Sequence, residues 1–243
     1  MALSDFAAVL APLFAFYDTV FQPLLSMGPY VSLGFFSVAL AGIFSLIYWW
    51  LLDKDRADKI KDKLEHHQDK MKEARKNDKS DKASEHMQKT LKLNQKFMML
   101  NFKPMIATMV FVALIFPWLG ATYAPTIDLQ STGNQTFTGN ISYAGQTEQI
   151  NVVNDTEPVI DYNGENATLH ENFHTHGITW EVMNFNQNPG ENTQADAKLK
   201  INAVFVPLPV NLPFIGKALN WLGFYILLMM PLSYTFRKGL GVQ

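Results

Sequence analysis

ASEHMQKTLKLNQKFMMLNFKPMIATMVFVALIFPWLGATY, Ala83 to Tyr123, decides how the chain is read. Its first half is charged and helix-patterned, its second half is apolar, and no break separates them, so the stretch predicts a polar arm running directly into a membrane span. Asn94, Met98, Asn101, Met105 and Thr108 follow one another at intervals of four, three, four and three residues, which places them on one face of that helix. The face carries amides, a hydroxyl and thioethers, and it crosses from the arm into the apolar half. Two readings are open. One is a surface that holds mildly polar segments on their way into lipid. The other is a helix-packing seam, because small and polar residues join membrane helices to one another.

Working outward toward the N-terminus, residues 53–103 contain fifteen Lys or Arg against ten Asp or Glu, interleaved at helical spacing as on a solvated face. Ile60, Leu64, His67, Met71 and Ala74 form an inner seam, Asn77 to Asp81 read as a turn, and Met87, Leu91, Asn94 and Met98 return along a second helix. An antiparallel helical hairpin, a short coiled coil with a weak seam, is expected. His66 and His67 read as ordinary surface residues on it. Before it, residues 30–52 hold no charged side chain and end in Tyr48, Trp49 and Trp50, an interfacial belt on a first span. Ser32, Ser37 and Ser45 punctuate that span. Residues 1–29 are apolar on one face but interrupted by Asp5, Asp18, Pro12 and Pro23, which predicts an amphipathic helix lying in the interface.

Toward the C-terminus, residues 104–123 complete the second span and residues 124–207 change character. Only two basic residues stand there against ten acidic ones, so the positive-inside rule puts this region outside and the hairpin in the cytosol. The expected topology has the N-terminus outside and the C-terminus inside, in the plasma membrane. Short alternating runs at Thr136 to Tyr143, Gln149 to Val153, Ile178 to Phe185 and Ala197 to Phe205, with turns such as Asn163-Gly164, predict an inserted extracytoplasmic β-sandwich-like domain of about six strands. Asn134, Asn140, Asn154 and Asn166 begin N-x-S/T sequons and are glycosylation candidates. Residues 208–243 are expected to supply an approach helix over Phe214 to Asn220, then a third span stopped by Arg237 and Lys238. The fold class is therefore an α-helical membrane protein with three transmembrane helices, a cytosolic hairpin and a β insert.

The chain is 243 residues long, 48% hydrophobic in separate blocks, and has no cysteine, which excludes disulfides, thiolate metal sites and thiol chemistry. One sequence pattern points to enzymology. His170, Glu171 and His174 spell H-E-x-x-H, with His176 close behind. On a helix, two such imidazoles share a face and hold zinc while the glutamate activates water. The flanks here are turn-rich and lack helical patterning, and choosing Glu181 or Glu191 as a third ligand is arbitrary. The expectation is a surface loop, with no catalysis and no cofactor.

The combination of elements resembles a known family. An outside N-terminus, a first span, a charged cytosolic hairpin, the boundary motif Asn94 to Met105 and the last span from Trp221 to Val242 look like the archaeal YidC-like proteins of the Oxa/YidC/Alb insertase superfamily. The resemblance excludes the β insert. It implies a three-helix core around a polar groove open to the cytosol and to lipid, through which short hydrophilic segments of client proteins cross. Nascent membrane proteins are the implied clients, with the ribosome or targeting machinery met by the hairpin and no nucleic acid read directly. A groove lined by Ser37, Ser45, Asn101, Thr108, Asn220 and Ser233 would lower the cost of moving polar groups through hydrocarbon. Met98, Met105, Met109, Met229 and Met230 would give it an adaptable apolar surface. Bacterial relatives carry an arginine in the groove; the first span here has none, and the nearest cation is Lys103 at the cytosolic mouth. A membrane-anchored receptor or adhesion module is the competing class, and an ion-conducting channel a third.

Overall fold

The computed structural model describes residues 3–187, 189, 194–212 and 216–241. In chain order these form α1 (Leu3–Leu25), α2 (Pro29–Leu51), α3 (Lys54–Lys76), α4 (Ser80–Tyr123), β1 (Thr126–Gly133), β2 (Thr136–Tyr143), β3 (Gln146–Asn154), β4 (Pro158–Tyr162), β5 (Glu165–Ala167), β6 (Asn172–Thr175), β7 (Ile178–Asn186), β8 (Ala197–Leu212), β9 (Gly216–Asn220) and α5 (Trp221–Gly239). Two compact units result, Met1–Ala39 with Leu114–Met230, and Leu40–Ala113 with Pro231–Gln243. Among the described residues, α2 and α4 are long and apolar enough to cross a membrane. The helix α5 occupies the place of the expected third span, but its 19 residues include Arg237 and Lys238 in the last turn, and it falls short of that measure.

In the first unit, an aromatic cluster fixes α1. The Trp118 side chain is 1% exposed, and its Nε1 donates to Asp18 Oδ1 at 2.8 Å. Tyr17, Phe21 and Phe36 surround it with ring centroids 5.4 to 5.5 Å away. Asp18, which looked like an interruption of an apolar face, is thus the acceptor that a buried indole requires. Pro12 and Pro23 lie inside one continuous helix rather than ending it. Tyr123 at the end of α4 shares a 2.7 Å hydrogen bond with Ser32 of α2, and Tyr30 donates to the Phe205 carbonyl at 2.7 Å.

The β region corrects the expected sandwich. Its strands follow a single path, β5-β4-β3-β2-β1-β8-β7-β6, all antiparallel, with β9 paired to β8 off that path. The two terminal strands of the path, β5 and β6, are consecutive in the chain and meet through side chains. Glu165 of β5 accepts the His174 backbone N–H at 2.8 Å, and Glu148 of β3 accepts from Tyr162 of β4 and Thr175 of β6. One sheet curling until its ends meet gives a barrel-like domain, which hides its edges as a two-layer sandwich does not. Alternate residues point inward: Leu129, Ile141, Ile150, Ile160, Phe173, Trp180, Val182, Leu199 and Ile201 are fully buried.

The approach helix over Phe214 to Asn220 is also corrected. Phe214 lies outside the described residues, and Gly216–Asn220 is β9, paired to a β8 that runs past the expected boundary at residue 207 to Leu212. Pro207 and Pro209 hold the chain extended and Gly216 disfavours helix, so an extended pairing continues up to Trp221.

In the second unit, α3 and the first part of α4 form a hairpin. Asp53 caps α3 by accepting the Arg56 backbone N–H at 3.1 Å, and the turn passes through Asp78 with φ +52°, a left-handed conformation that Asp tolerates. Ala57, Ile60, Leu64, His67, Met71 and Ala74 are the covered face of α3. The covered face of α4 differs from expectation by one residue. It is Ala83, His86, Thr90, Leu93, Phe97, Leu100 and Pro104, while Met87, Leu91, Asn94 and Met98 are exposed. The helix continues through both Pro104 and Pro117.

Candidate functional site

Along α4 the more covered row runs from Ala83 to Pro104. The stripe lies beside it: Asn94 is exposed, Asn101 and Thr108 are half-buried, and Met98 is 72%, Met105 48% and Met109 67% exposed. Two polar groups of the stripe bond to their own helix. Asn101 Nδ2 donates to the Phe97 carbonyl at 2.8 Å, and Thr108 Oγ1 to the Met105 carbonyl at 2.9 Å. Interhelical glue would bond across helices. These bonds are instead made within α4, beside the exposed thioethers of Met98, Met105 and Met109. Lys103 is exposed next to the stripe.

The other expected groove residues divide. Ser37 is buried and donates to the Leu33 carbonyl at 2.8 Å, so it turns back on its own helix as serine commonly does. Asn220 accepts the Gly223 backbone N–H at 2.9 Å through Oδ1 and thereby caps α5, which ties its amide to the helix end instead of to a groove. Met229 is half-buried and Met230 exposed in the first unit, and Ser233 is half-buried in the second. Ser45 is buried, and among the described residues its Oγ has no hydrogen-bond partner.

Sequence reasoning missed one cation. Arg237 lies over the Tyr48 ring at 4.2 Å, and its Nε is buried without a hydrogen-bond partner among the described residues. Gly42 faces Phe236 one helical step away. Arg237 looked like a stop signal in the sequence; only the pairing of α2 with α5 inside the second unit reveals it as a partly desolvated charge held by an aromatic face.

The histidine motif does not sit on a helix. His170 occupies a left-handed turn with φ +64°, and His174 lies in β6. Each histidine faces a glutamate of another segment: His170 Nδ1 and Glu181 are 3.9 Å apart, His174 Nδ1 and Glu165 3.4 Å, and His176 Nε2 and Glu148 3.9 Å. The His176 side chain is 1% exposed. Glu171 accepts the Thr168 backbone N–H at 2.9 Å, which holds its carboxyl below the usual range and commits it to the turn. Glu148 is likewise held low by the Thr175 and Tyr162 hydroxyls, and Tyr162 is pushed up by Glu148. Among the described residues, no group of three or more His, Asp or Glu side chains is arranged to hold a metal, and Glu191 lies outside them. Of the sequons, Asn134 sits in a turn with φ +50°, Asn140 and Asn166 are exposed on strands, and Asn154 Nδ2 donates to Gln187.

Residues 18–138 match a family model described as integral membrane protein EMC3/TMCO1-like, within the Oxa1/YidC/Alb3/EMC3 insertase superfamily. The matched stretch runs from Asp18 through α2, the hairpin and α4 to Thr138, and so contains the exposed stripe. No curated protein and no solved structure matches the chain.

Proposed function

We propose, on the match of residues 18–138 to the EMC3/TMCO1-like family model, that this protein is a membrane protein insertase of the archaeal YidC-like kind. In this reading α2, α4 and α5 all cross the plasma membrane, the hairpin lies in the cytosol and the β domain outside. Client segments arrive at the exposed face of α4, where Asn94, Asn101 and Thr108 offer hydrogen bonds and Met98, Met105 and Met109 offer an adaptable apolar surface. The polar groups lower the cost of carrying a client's hydrophilic end into hydrocarbon, and the client's own apolar helix supplies the driving force as it leaves for lipid. No nucleotide is hydrolysed and no covalent chemistry is required. Arg237, desolvated over Tyr48, adds a positive charge that attracts acidic client ends.

The observation that carries this reading is the stripe on α4, with Asn94, Met98, Met105 and Met109 exposed and the Asn101 and Thr108 side chains bonded within their own helix. A receptor or adhesion module displaying the β domain gives no reason for such a face on a helix running from a charged arm into an apolar span. The test is photocrosslinking from probes at Met98 and Met105 to ribosome-bound nascent membrane proteins. Crosslinks that appear when a client's first apolar segment emerges, and vanish once it is inserted, support the proposal. Their absence from both positions, with Trp50 or Met27 probes crosslinking equally well, rejects it.

A further inference from the structure

His67 of α3 and His86 of α4 approach with their Nδ1 atoms 3.1 Å apart, and their ring centroids are 5.3 Å apart. Both side chains are half-buried on the covered faces of the two helices, so the pair bridges the hairpin. Two neutral imidazoles at this separation share one proton. They also stand almost where two ligands of one metal ion stand: a zinc–nitrogen bond of about 2.0–2.1 Å with tetrahedral angles puts the two nitrogens about 3.3 Å apart. The neighbouring groups disfavour a charge on His67. Burial, then His86, His66 and Lys89, hold the His67 pKa below its ordinary value, against an opposing Glu85. Lys89 is itself paired with Glu85 at 2.6 Å and Lys70 with Glu73 at 2.9 Å, while Lys82 lines the same recess as His86. The hairpin also has little to clasp it, since among the described residues its buried apolar side chains are Ala57, Ala74 and Ala83, each small and with little apolar area to offer.

We propose that His67 and His86 form a transition-metal clip that fastens α3 to α4, binding a divalent ion of the zinc, nickel or copper class through both Nδ1 atoms. Imidazole suits these ions, and the chain has no cysteine to compete for them. On binding, the proton shared between the Nδ1 atoms leaves for Nε2 of its own ring, so each ring stays neutral and each Nδ1 lone pair faces the ion. Among the described residues no third His, Asp or Glu donor is in place, so water completes the shell. The site differs from the H-E-x-x-H segment, and it does not depend on the insertase reading.

The test uses the full chain in detergent, with Zn2+ titrated calorimetrically and Co2+ followed by its visible ligand-field bands. The expected result is one equivalent with tetrahedral bands, weakened at least about tenfold by His67→Ala and by His86→Ala and unaffected by His66→Ala or by a His170→Ala/His174→Ala double variant. Zn2+ should also slow amide exchange around the Asn77 to Lys79 turn in the parent and not in His86→Ala. Binding that is absent, that survives both single variants, or that falls equally in His66→Ala overturns the proposal. Alanine is a strong helix former at these positions, and far-UV circular dichroism checks that the variants keep the hairpin.

Discussion

Truncating Met98 and Met105 to alanine separates an open face from a packed seam. Met98 is 72% and Met105 48% exposed, so protein covers about a quarter of one side chain and half of the other. Full burial of a methionine is worth roughly 1.5–3 kcal/mol, which scales to about 0.6 kcal/mol for Met98 and about 1.2 kcal/mol for Met105. Both are upper values, because surface covered from lipid instead of water gains little. A methionine packed in a seam would cost about 2–5 kcal/mol on truncation. The double variant is therefore expected to lose less than about 2 kcal/mol in denaturant unfolding from micelles. Trp118→Ala, which empties a site only 1% exposed, should lose about 3–5 kcal/mol and calibrates the assay. Over the same variants, insertion of a reporter client into proteoliposomes, read by protease protection, should fall for Met98→Ala/Met105→Ala while the fold persists. A double variant as unstable as Trp118→Ala, or one that inserts clients at the parent's rate, would refute the reasoning.

Glu148 makes the closure of the β domain acid-sensitive. The hydroxyls of Thr175 and Tyr162 hold its folded-state pKa below its ordinary value, so the contribution is complete above the ordinary glutamate range and is lost as pH falls through the lowered value. Trp180, whose Nε1 donates to the Thr175 carbonyl, reports this by fluorescence, and Glu148→Gln should flatten the acid transition; superimposable transitions in parent and variant would rule the linkage out. At the start of α5, Asn220→Ala removes the acceptor for the Gly223 N–H and should cost about 0.5–2 kcal/mol, with Asn220→Ser restoring most of it. Thermal melts of the three proteins measure this, and an unaltered Asn220→Ala melt would show that the cap contributes nothing.

What could be read from the residues was local. Asp53 and the run from Asn77 to Asp81 mark the hairpin because caps and turns are chemistry of adjacent residues, and the strand from Thr136 to Tyr143 was visible as an alternation. The face of α4 was misread by one residue because its covered row includes His86 and Thr90 while its open row includes Met87 and Leu91, so hydrophobicity pointed the wrong way. Turn composition hid the barrel-like closure. Asn163-Gly164 announces a tight hairpin, yet Asn134-Gln135, Ala144-Gly145 and His176-Gly177 adopt the same left-handed pair of conformations with weaker signals. The strand β9 was taken for helix because a short apolar run carries no period of its own. Ser37 and Asn220 were assigned to a groove by residue type alone, and their hydrogen bonds to Leu33 and Gly223 depend on rotamers that a sequence does not display. Arg237 over Tyr48 and His67 against His86 are long-range neighbours of the same kind.

The two helices of the hairpin are not equivalent, and the difference bears on what α4 is for. Both carry lysines and acids, and in α3 no large apolar side chain is exposed among the described residues; Ile60, Leu64 and Met71 all turn inward. Along α4 the exposed apolar side chains begin at Met87 and Leu91 and thicken to Met98, Met99, Phe102, Met105, Ile106 and Met109. Lys92, Lys96 and Lys103 are interspersed, so the surface is still wet where this row begins. A helix that merely dipped into lipid would switch from polar to apolar at one level, as α2 does between Leu51 and Asp53. A helix that must receive apolar segments from water has reason to extend its greasy row outward past that level, in the most pliable side chains available. The graded row on α4, absent from its partner α3, is the feature that the insertase reading explains and a tethered surface module does not.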